Sequence, residues 1–195
     1  MDSWYTPPSQ QTQFSGASNS WYTPPSQQSQ QNTDSNSWYT PPSQQQILST
    51  PTQITQSFGT YNPIEPTPNH IAGDTNFAAN AGDPVAAPPG KWTVIKAYNQ
   101  ANPQGSPGDY TDNEGWGNDV WLQDSQGNIL HFLHLAGVNA QPGQVVQGGS
   151  VVGQVGDSGN STGANLGVEY YDSQGQLSDF MQSPYAQYMP LQQNP

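Results

Sequence analysis

The sequence has no cysteine and no arginine, and Lys91 and Lys96 are its only basic residues. Without cysteine the chain forms no disulfide bond, no thiolate nucleophile and no cysteine-ligated metal site. The 14 acidic residues outnumber the two basic ones and give a net charge of −12 over 195 residues. A chain this acidic cannot hold phosphates electrostatically, so we expect neither nucleic acid nor an anionic membrane surface as a partner.

Long apolar runs are also absent from the sequence. No stretch approaches the roughly 20 apolar residues of a membrane span. The first residues, MDSWYTPPSQQ, contain neither the basic nor the apolar region of a secretion signal. We therefore expect synthesis in a cytoplasm, which need not be the place of function, because virion proteins leave the cell at lysis.

Two regions of different composition follow each other along the chain. Residues 1–68 are rich in Gln, Ser, Thr, Pro and Asn and show no apolar periodicity, although Ile47, Leu48 and Ile54 indicate a docking strand near the boundary. Such a segment cannot offset its ordering entropy by burying a core of its own, which predicts an extended, non-globular N-terminal arm. Residues 69–195 are predicted to form one domain with a C-terminal tail, able to fold without residues 1–60.

The nonapeptide SWYTPPSQQ occurs three times in the arm, at residues 3–11, 20–28 and 37–45. Drift by duplication would have copied the spacers too, but the spacers differ, which favours three equivalent docking motifs over low-complexity drift. Trp and Tyr supply large contact areas at low conformational cost, and three linked weak sites gain avidity. The predicted partner-binding residues are Trp4, Tyr5, Pro7, Pro8, Trp21, Tyr22, Pro24, Pro25, Trp38, Tyr39, Pro41 and Pro42.

The spacing of the repeats bears on the kind of partner. Consecutive copies begin 17 residues apart, a length that spans at most about 55 Å when fully extended. Equivalent sites must therefore recur on the partner within that reach. Repeating protein subunits of a capsid, tail or filament satisfy this condition.

From about Pro68 onward, short apolar runs alternate with Gly, Pro, Asn and Asp. Segments such as KWTVIKAY at 91–98 and NILHFLHL at 128–135 are typical of strands. The loops DSQGN at 124–128 and DSQGQ at 172–176 are typical of hairpins. Because no segment has a convincing helical period, the sequence predicts one compact all-β domain.

Five motifs follow one another in this region: HIAGD at 70–74, GDPVAAP at 82–88, GWGNDVWL at 115–122, FLHL at 132–135 and the long segment at 138–170 that ends in STGANLGVEY. Their order resembles that of the lysostaphin-like (LytM-type) zinc endopeptidases, which cut peptidoglycan cross-bridges. The matching family patterns include H-x-x-x-D, Y-x-H-L and S-T-G-x-H-L-H-f-E. The resemblance implies a lysostaphin-like β domain of antiparallel strands.

The resemblance also implies where the chemistry would lie. The family holds zinc by the His and Asp of the first motif and by the second His of H-x-H, which correspond to His70, Asp74 and Gly167. The two histidines that assist the attack of a zinc-bound water correspond to His134 and Asn165. Gly167 has no side chain that can ligate, and the neutral amide of Asn165 cannot act as a general base. Since a catalytic zinc needs three protein ligands, we predict a vestigial site with no metal and no cofactor, in a pseudo-peptidase.

Alternative interpretations stay open at this site. His70 and Asp74 would still bind a metal if another chain supplied a ligand. His134 is interpreted as a cleft or core histidine satisfied by hydrogen bonds, and strand alternation places His131 on the opposite side from it. Trp116, in a glycine-flanked loop, either packs near the sheet or offers a platform for a glycan.

These observations predict a non-catalytic structural accessory protein of a large assembly, a bacteriophage virion in the first instance, with the arm anchoring the domain to repeating subunits. Capsid decoration or cementing is the first hypothesis and a tail-associated role the second. The alternative is a peptidoglycan-binding or residually active cell-wall endopeptidase, carried on a phage particle or a cell surface. A third hypothesis, a bacterial surface or pilus-associated protein, fits less well with the missing secretion signal.

Overall fold

The computed structural model describes residues 45–63, 69, 71–101, 105, 110–111 and 113–190. The partner-binding residues predicted in the arm, from Trp4 to Pro42, lie outside this described part of the chain. His70, the first residue of the predicted vestigial site, lies outside it as well.

Ten strands form in the described part, and all the pairings between them are antiparallel, which confirms the predicted all-β fold. They are β1 (Ile54–Gln56), β2 (Thr75–Ala78), β3 (Pro84–Ala86), β4 (Lys91–Tyr98), β5 (Asn118–Gln123), β6 (Ile129–Val138), β7 (Val145–Gln147), β8 (Val151–Val155), β9 (Asn165–Tyr171) and β10 (Leu177–Ser178). The described residues also form three short 3₁₀ helices, Asn113–Gly115, Phe180–Gln182 and Ala186–Tyr188. No helix in this part of the chain has the length and apolar character needed to cross a membrane.

The main sheet has the strand order β1-β2-β9-β6-β5-β4-β7, while β8 pairs with β6 and β3, and β10 pairs with β9. Both predicted hairpin loops join neighbouring strands. In the first, the carboxylate of Asp124 accepts hydrogen bonds from the backbone N–H groups of Gln126 and Asn128. In the second, Asp172 does the same for Gln174 and Gln176. The DSQG sequence thus closes each loop by an Asp side chain that caps the turn.

The central strands β5, β6 and β9 have two faces of opposite character, because successive side chains of a strand point to opposite sides. Even-numbered side chains enter the hydrophobic core, and these include Val120, Leu122, Leu130, Phe132, Leu166 and Val168. Odd-numbered positions carry Trp121, His131, Gly167 and Glu169 instead. The sheet therefore separates an apolar core from a polar and aromatic face.

The packed domain begins earlier in the chain than the predicted boundary at residue 69. Ile47 and Leu48 have no exposed surface and belong to the hydrophobic core, and β1 pairs with β2. The amide of Ile47 donates to the carbonyl of Tyr188, 2.9 Å away. Residues 47–56 are thus packed as part of the domain, so a chain without residues 1–60 would also lack two core residues and β1.

The C-terminal segment up to Pro190 is packed on the domain. Phe180, Tyr185 and Met189 are buried in the core. The ring of Phe180 meets that of Phe77 edge-on at 5.7 Å, and Tyr185 meets Trp92 at 4.9 Å. This segment and residues 47–52 together close the apolar side of the sheet.

Candidate functional site

A cleft of about 380 Å³ opens on the polar face of the sheet. Its walls come from β1, β2 and β9 and from the loops at 113–116 and 160–164, and His134 and Leu133 of β6 also line it. The acidic residues Asp74, Glu114 and Glu169 line the cleft, whereas no Lys or Arg does so among the described residues. The cleft is therefore negatively charged.

Two loops at the rim of the cleft approach each other at backbone distance. Gly117 and Gly159 have φ angles of 67° and 73°, in the region that favours glycine. A Cβ atom at Gly117 would lie 2.3 Å from Ser158 Oγ, and one at Gly159 would lie 2.3 Å from the carbonyl oxygen of Gly115. The amide of Asn160 donates to that same carbonyl, 2.7 Å away. These glycines therefore hold the loop of Trp116 against the loop that precedes β9.

His134 lies in the cleft because β6 is irregular at this point. Its φ angle is 62°, which interrupts the alternation of the strand, and both Leu133 and His134 line the cleft. The prediction that His131 and His134 face opposite sides is therefore wrong. The prediction assumed a regular strand, whereas a local bulge turns His134 to the same face of the sheet as His131.

The protonation of His134 is fixed by its surroundings. Its Nδ1 lies 2.9 Å from the carbonyl oxygen of Ser158, and a carbonyl only accepts, so Nδ1 carries the hydrogen. Burial lowers the pKa of His134 below its ordinary value, which keeps the ring neutral. Its Nε2 is then a bare acceptor, for which the described residues offer no hydrogen-bond partner.

Asp74 sits on the floor of the cleft at 9% exposure. Burial raises the pKa of its carboxyl from an ordinary 3.8 to about 6, and the nearby charge of Glu169 adds to this effect. Hydrogen bonds, one of them from Asn76, act in the opposite direction and lower it. Asp74 is thus an anion at neutral pH whose lost hydration is only partly offset by these hydrogen bonds and by the charge of His131.

Asn165 is the residue that the resemblance aligns with the first His of the family's H-x-H. Its Nδ2 donates to Ser161 Oγ and to the carbonyl oxygen of Gly163, each 2.8 Å away. Because a carbonyl must face a donor, these bonds fix the amide with its oxygen on the other side. That Oδ1 is buried, and none of the described residues donates a hydrogen bond to it. Asn165 therefore adds a second bare acceptor to the cleft wall.

Gly167 leaves the third expected zinc ligand missing. A Cβ atom at this position would lie 3.0 Å from Asp74 Oδ2, so the backbone stands close to the one expected ligand that the structure describes. No group of three or more His, Asp or Glu side chains in the described chain is arranged to hold a metal ion. The described residues at the positions implied by the resemblance, Asp74 and Gly167, thus do not fit a tetrahedral zinc site.

A buried ionic network, which the sequence did not reveal, lies beside the cleft on the same face. His131 is fully buried, with Nδ1 2.8 Å from Glu169 Oε2 and Nε2 3.0 Å from Asp119 Oδ2. Burial disfavours the charged ring, but the hydrogen bonds and charges of the two carboxylates outweigh it and raise the pKa of His131. With a carboxylate at each nitrogen, both nitrogens donate, and the ring is an imidazolium. Tyr171 also donates to Glu169 Oε2, at 2.9 Å.

Aromatic rings enclose the imidazolium. Trp121 stacks on His131 with ring centroids 3.9 Å apart, and Trp116 meets it edge-on at 5.1 Å. Lys96 Nζ lies 5.0 Å from the centre of the Trp116 ring and 5.3 Å from that of Trp121. Trp116 thus packs against the sheet and also lines the cleft. The sequence carried one signal of this network: polar and aromatic residues stand at odd-numbered positions of three strands. They are Asp119, Trp121, His131, Glu169 and Tyr171, and only the register of the strands brings them together.

The chain is similar to known proteins both in sequence profile and in fold. The profile of peptidase family M23 matches residues 73–179. No curated protein sequence is a significant match. The fold is similar to the catalytic domain of the antimicrobial peptidase lysostaphin from Staphylococcus simulans, with 22% identity and a TM-score of 0.53 over 66% of this chain and 89% of that one.

Two further structures share the fold. A zinc-containing peptidase from Vibrio cholerae has 24% identity and a TM-score of 0.53, over 67% of this chain and 36% of that one. A chain of the SpoIIIAH–SpoIIQ complex has 16% identity and a TM-score of 0.50, over 69% of this chain and 94% of that one. At these identities, the similarity establishes the fold.

Proposed function

The chain belongs to peptidase family M23, and from this premise we propose that it is a non-catalytic member serving as a structural accessory protein of a large assembly. The observation that carries the proposal is the cleft itself. Gly167 supplies no ligand, and the amide of Asn165 is held by Ser161 and Gly163. An M23 cleft without its third ligand and without one of its two assisting histidines would lack the means to activate a water.

The arm supplies the second half of the proposal. Its three copies of SWYTPPSQQ suit attachment to repeating subunits, and a bacteriophage virion is the assembly that we propose, with capsid decoration ahead of a tail-associated role. The similar fold in a chain of the SpoIIIAH–SpoIIQ complex supports the idea that such domains occur in protein–protein assemblies. The domain would then be displayed on the particle while the arm holds it there.

The competing function is a peptidoglycan-binding or residually active endopeptidase, which the retained Asp74 and His134 in the cleft favour. Elemental analysis and peptidoglycan turnover by the full chain distinguish the two. We expect less than stoichiometric zinc and no turnover, with or without added zinc. One tightly bound zinc per chain, together with hydrolysis that a chelator abolishes, would establish the peptidase instead.

Attachment is tested on the native particle with variants of the repeats. Burying one large aromatic side chain contributes about 2–3 kcal/mol, so Trp4→Ala alone should weaken attachment, whereas alanine at Trp4, Trp21 and Trp38 together should release the protein. High salt should release little wild-type protein, because the arm is nearly uncharged. Normal occupancy of the triple variant would refute the anchoring role.

A further inference from the structure

The cleft presents hydrogen-bond acceptors in excess, and this excess defines what it can bind. His134 Nε2 and Asn165 Oδ1 are both bare acceptors, each fixed in that role because the other polar atom of its side chain donates to a backbone carbonyl. Both residues line the cleft, and His134 is only 7% exposed. A buried acceptor without a donor costs free energy, so the site is complementary to a ligand rich in N–H groups.

Two carboxylates face the same space. Glu169 directs its Oε2 to His131 and Tyr171, which leaves Oε1 without a hydrogen-bond partner among the described residues. Asp74 interacts electrostatically with Glu169, which opposes its charge, and with His131, which favours it, and none of the described residues forms a salt bridge with it. Both residues are about nine-tenths buried, at 9% and 8% exposure. The imidazolium of His131 is shared between Glu169 and Asp119, so a negative charge remains in the cleft.

From this donor-poor, negatively charged arrangement we infer that the cleft binds a primary ammonium group, carried by a peptide amino terminus or a lysine-type side chain. An ammonium has three N–H donors, one positive charge and no acceptor. It therefore satisfies the bare acceptors of His134 and Asn165 and the charge of Asp74 together. A divalent metal ion fits less well, because the described residues hold no group of three metal-ligating side chains. A glycan could donate hydroxyl hydrogens to these acceptors, but it carries no positive charge to offset that of Asp74.

This inference rests on the part of the proposed function that leaves the cleft without zinc, and it does not depend on the arm. It also gives a role to Asn165, which contributes an acceptor that a protonated histidine would not. A peptide amino group held here would be bound without being cleaved.

The test is calorimetric titration of the full chain with trialanine amide, Nα-acetyl-lysine amide and N-acetyl-trialanine amide. We expect binding of at least one probe with a free ammonium and no binding of the acetylated tripeptide, since acetylation removes the charge and two donors. Binding of trialanine amide assigns the site to a peptide amino terminus, and binding of Nα-acetyl-lysine amide assigns it to a side chain. Equal binding of the acetylated tripeptide, or binding of none of the three, overturns the inference.

Variants locate the binding in the cleft. Asp74→Asn should weaken it by about ten- to a hundredfold, the range for a charge-assisted hydrogen bond, and His134→Phe should weaken it as well. Asp172→Asn is the matched control, because it removes the same charge at an exposed turn and should bind as the wild type does. Equal loss in Asp172→Asn would refute a specific site. Stoichiometric zinc in the purified protein would refute the proposed function. A zinc-free protein that binds neither trialanine amide nor Nα-acetyl-lysine amide would refute only this inference.

Discussion

Nδ1 of His131 lies 2.8 Å from Oε2 of Glu169, and the two residues are directly paired across β6 and β9. The other nitrogen of His131 bonds to Asp119 on β5, so one imidazolium ties three neighbouring strands together. All three side chains are at least nine-tenths buried. The imidazolium of His131 thus offsets the hydration that the carboxylates of Asp119 and Glu169 lose on burial.

Removing this cation should destabilise the fold strongly. In His131→Gln two buried carboxylates lose their charged partner, and breaking a buried ion pair in this way costs about 3–5 kcal/mol. We expect a loss of that size in the free energy of unfolding, measured by urea denaturation at pH 7. A double-mutant cycle with Glu169→Gln should show strong coupling. Additive effects of the two substitutions would contradict a network that acts as one unit.

The same network predicts a pH dependence. The pKa of His131 is raised on folding, so the folded state binds its proton more tightly than the unfolded state does. Its contribution to stability is complete below the ordinary value of 6.5 and is lost as pH rises through the raised pKa. The difference in unfolding free energy between the wild type and His131→Gln should therefore narrow as pH rises from 6 to 9. A difference that widens over this range would show that the buried ring is neutral.

The ionised carboxylate of Asp74 should lower the free energy of unfolding, whereas a carboxylate with a lowered pKa would raise it. Because the pKa of Asp74 is raised from 3.8 to about 6, its contribution to stability falls as pH rises through this window and stays low above it. Asp74→Asn should therefore stabilise the protein at pH 8, by up to about 3 kcal/mol at 1.36 kcal/mol per pKa unit, and give no gain at pH 3.5. Urea denaturation at the two pH values measures this, with Asp172→Asn as the control for a lost surface charge. An equal gain at both pH values would exclude burial of the charge as the cause.

The features that could be predicted from the sequence are those set by neighbours in the chain. β4 coincides with the apolar run KWTVIKAY, and Asp124 and Asp172 close the hairpin loops that DSQG indicated. The network of His131 could not be predicted, because it depends on the register of three strands at once. The orientation of His134 depends on a bulge, and no residue type near it in the sequence indicates that bulge.

The N-terminal boundary was misplaced for a related reason. Residues 45–62 are as polar in composition as residues 1–44, and Ile47, Leu48 and Ile54 are the aliphatic residues that distinguish them. Composition averages over a window, whereas packing is decided by single side chains that fit a gap in the core. Two fully buried residues and a short strand pairing are enough to attach this segment to the domain.

Truncation should locate the true start of the domain. A chain that lacks residues 1–44 should unfold cooperatively at nearly the temperature of the full chain. A chain that lacks residues 1–60 also loses Ile47 and Leu48, whose burial contributes about 1.5–3 kcal/mol each, and it exposes the edge of β2. We expect it to melt far lower or to aggregate. Thermal unfolding of both chains, with Leu48→Ala in the full chain as a point control, checks this, and equal melting temperatures would place the boundary after residue 60.

Restoring the two missing histidines should create zinc affinity, because the backbone of residue 167 already lies beside Asp74. A Cβ atom at residue 167 would stand 3.0 Å from Asp74 Oδ2 and from Asn76 Oδ1, both at the ends of flexible side chains that can shift by a few tenths of an ångström. Asn165→His together with Gly167→His should therefore bind zinc at least about tenfold more tightly than the wild type, since the histidine at residue 167 supplies the third ligand that a zinc site needs. Competition with a chromogenic chelator measures this affinity. The matched control adds Asp74→Ala to the double variant and should lose most of the gain. If the triple variant binds zinc as tightly as the double variant, the new histidines bind it elsewhere, and the alignment of Gly167 with the family's ligand position is wrong.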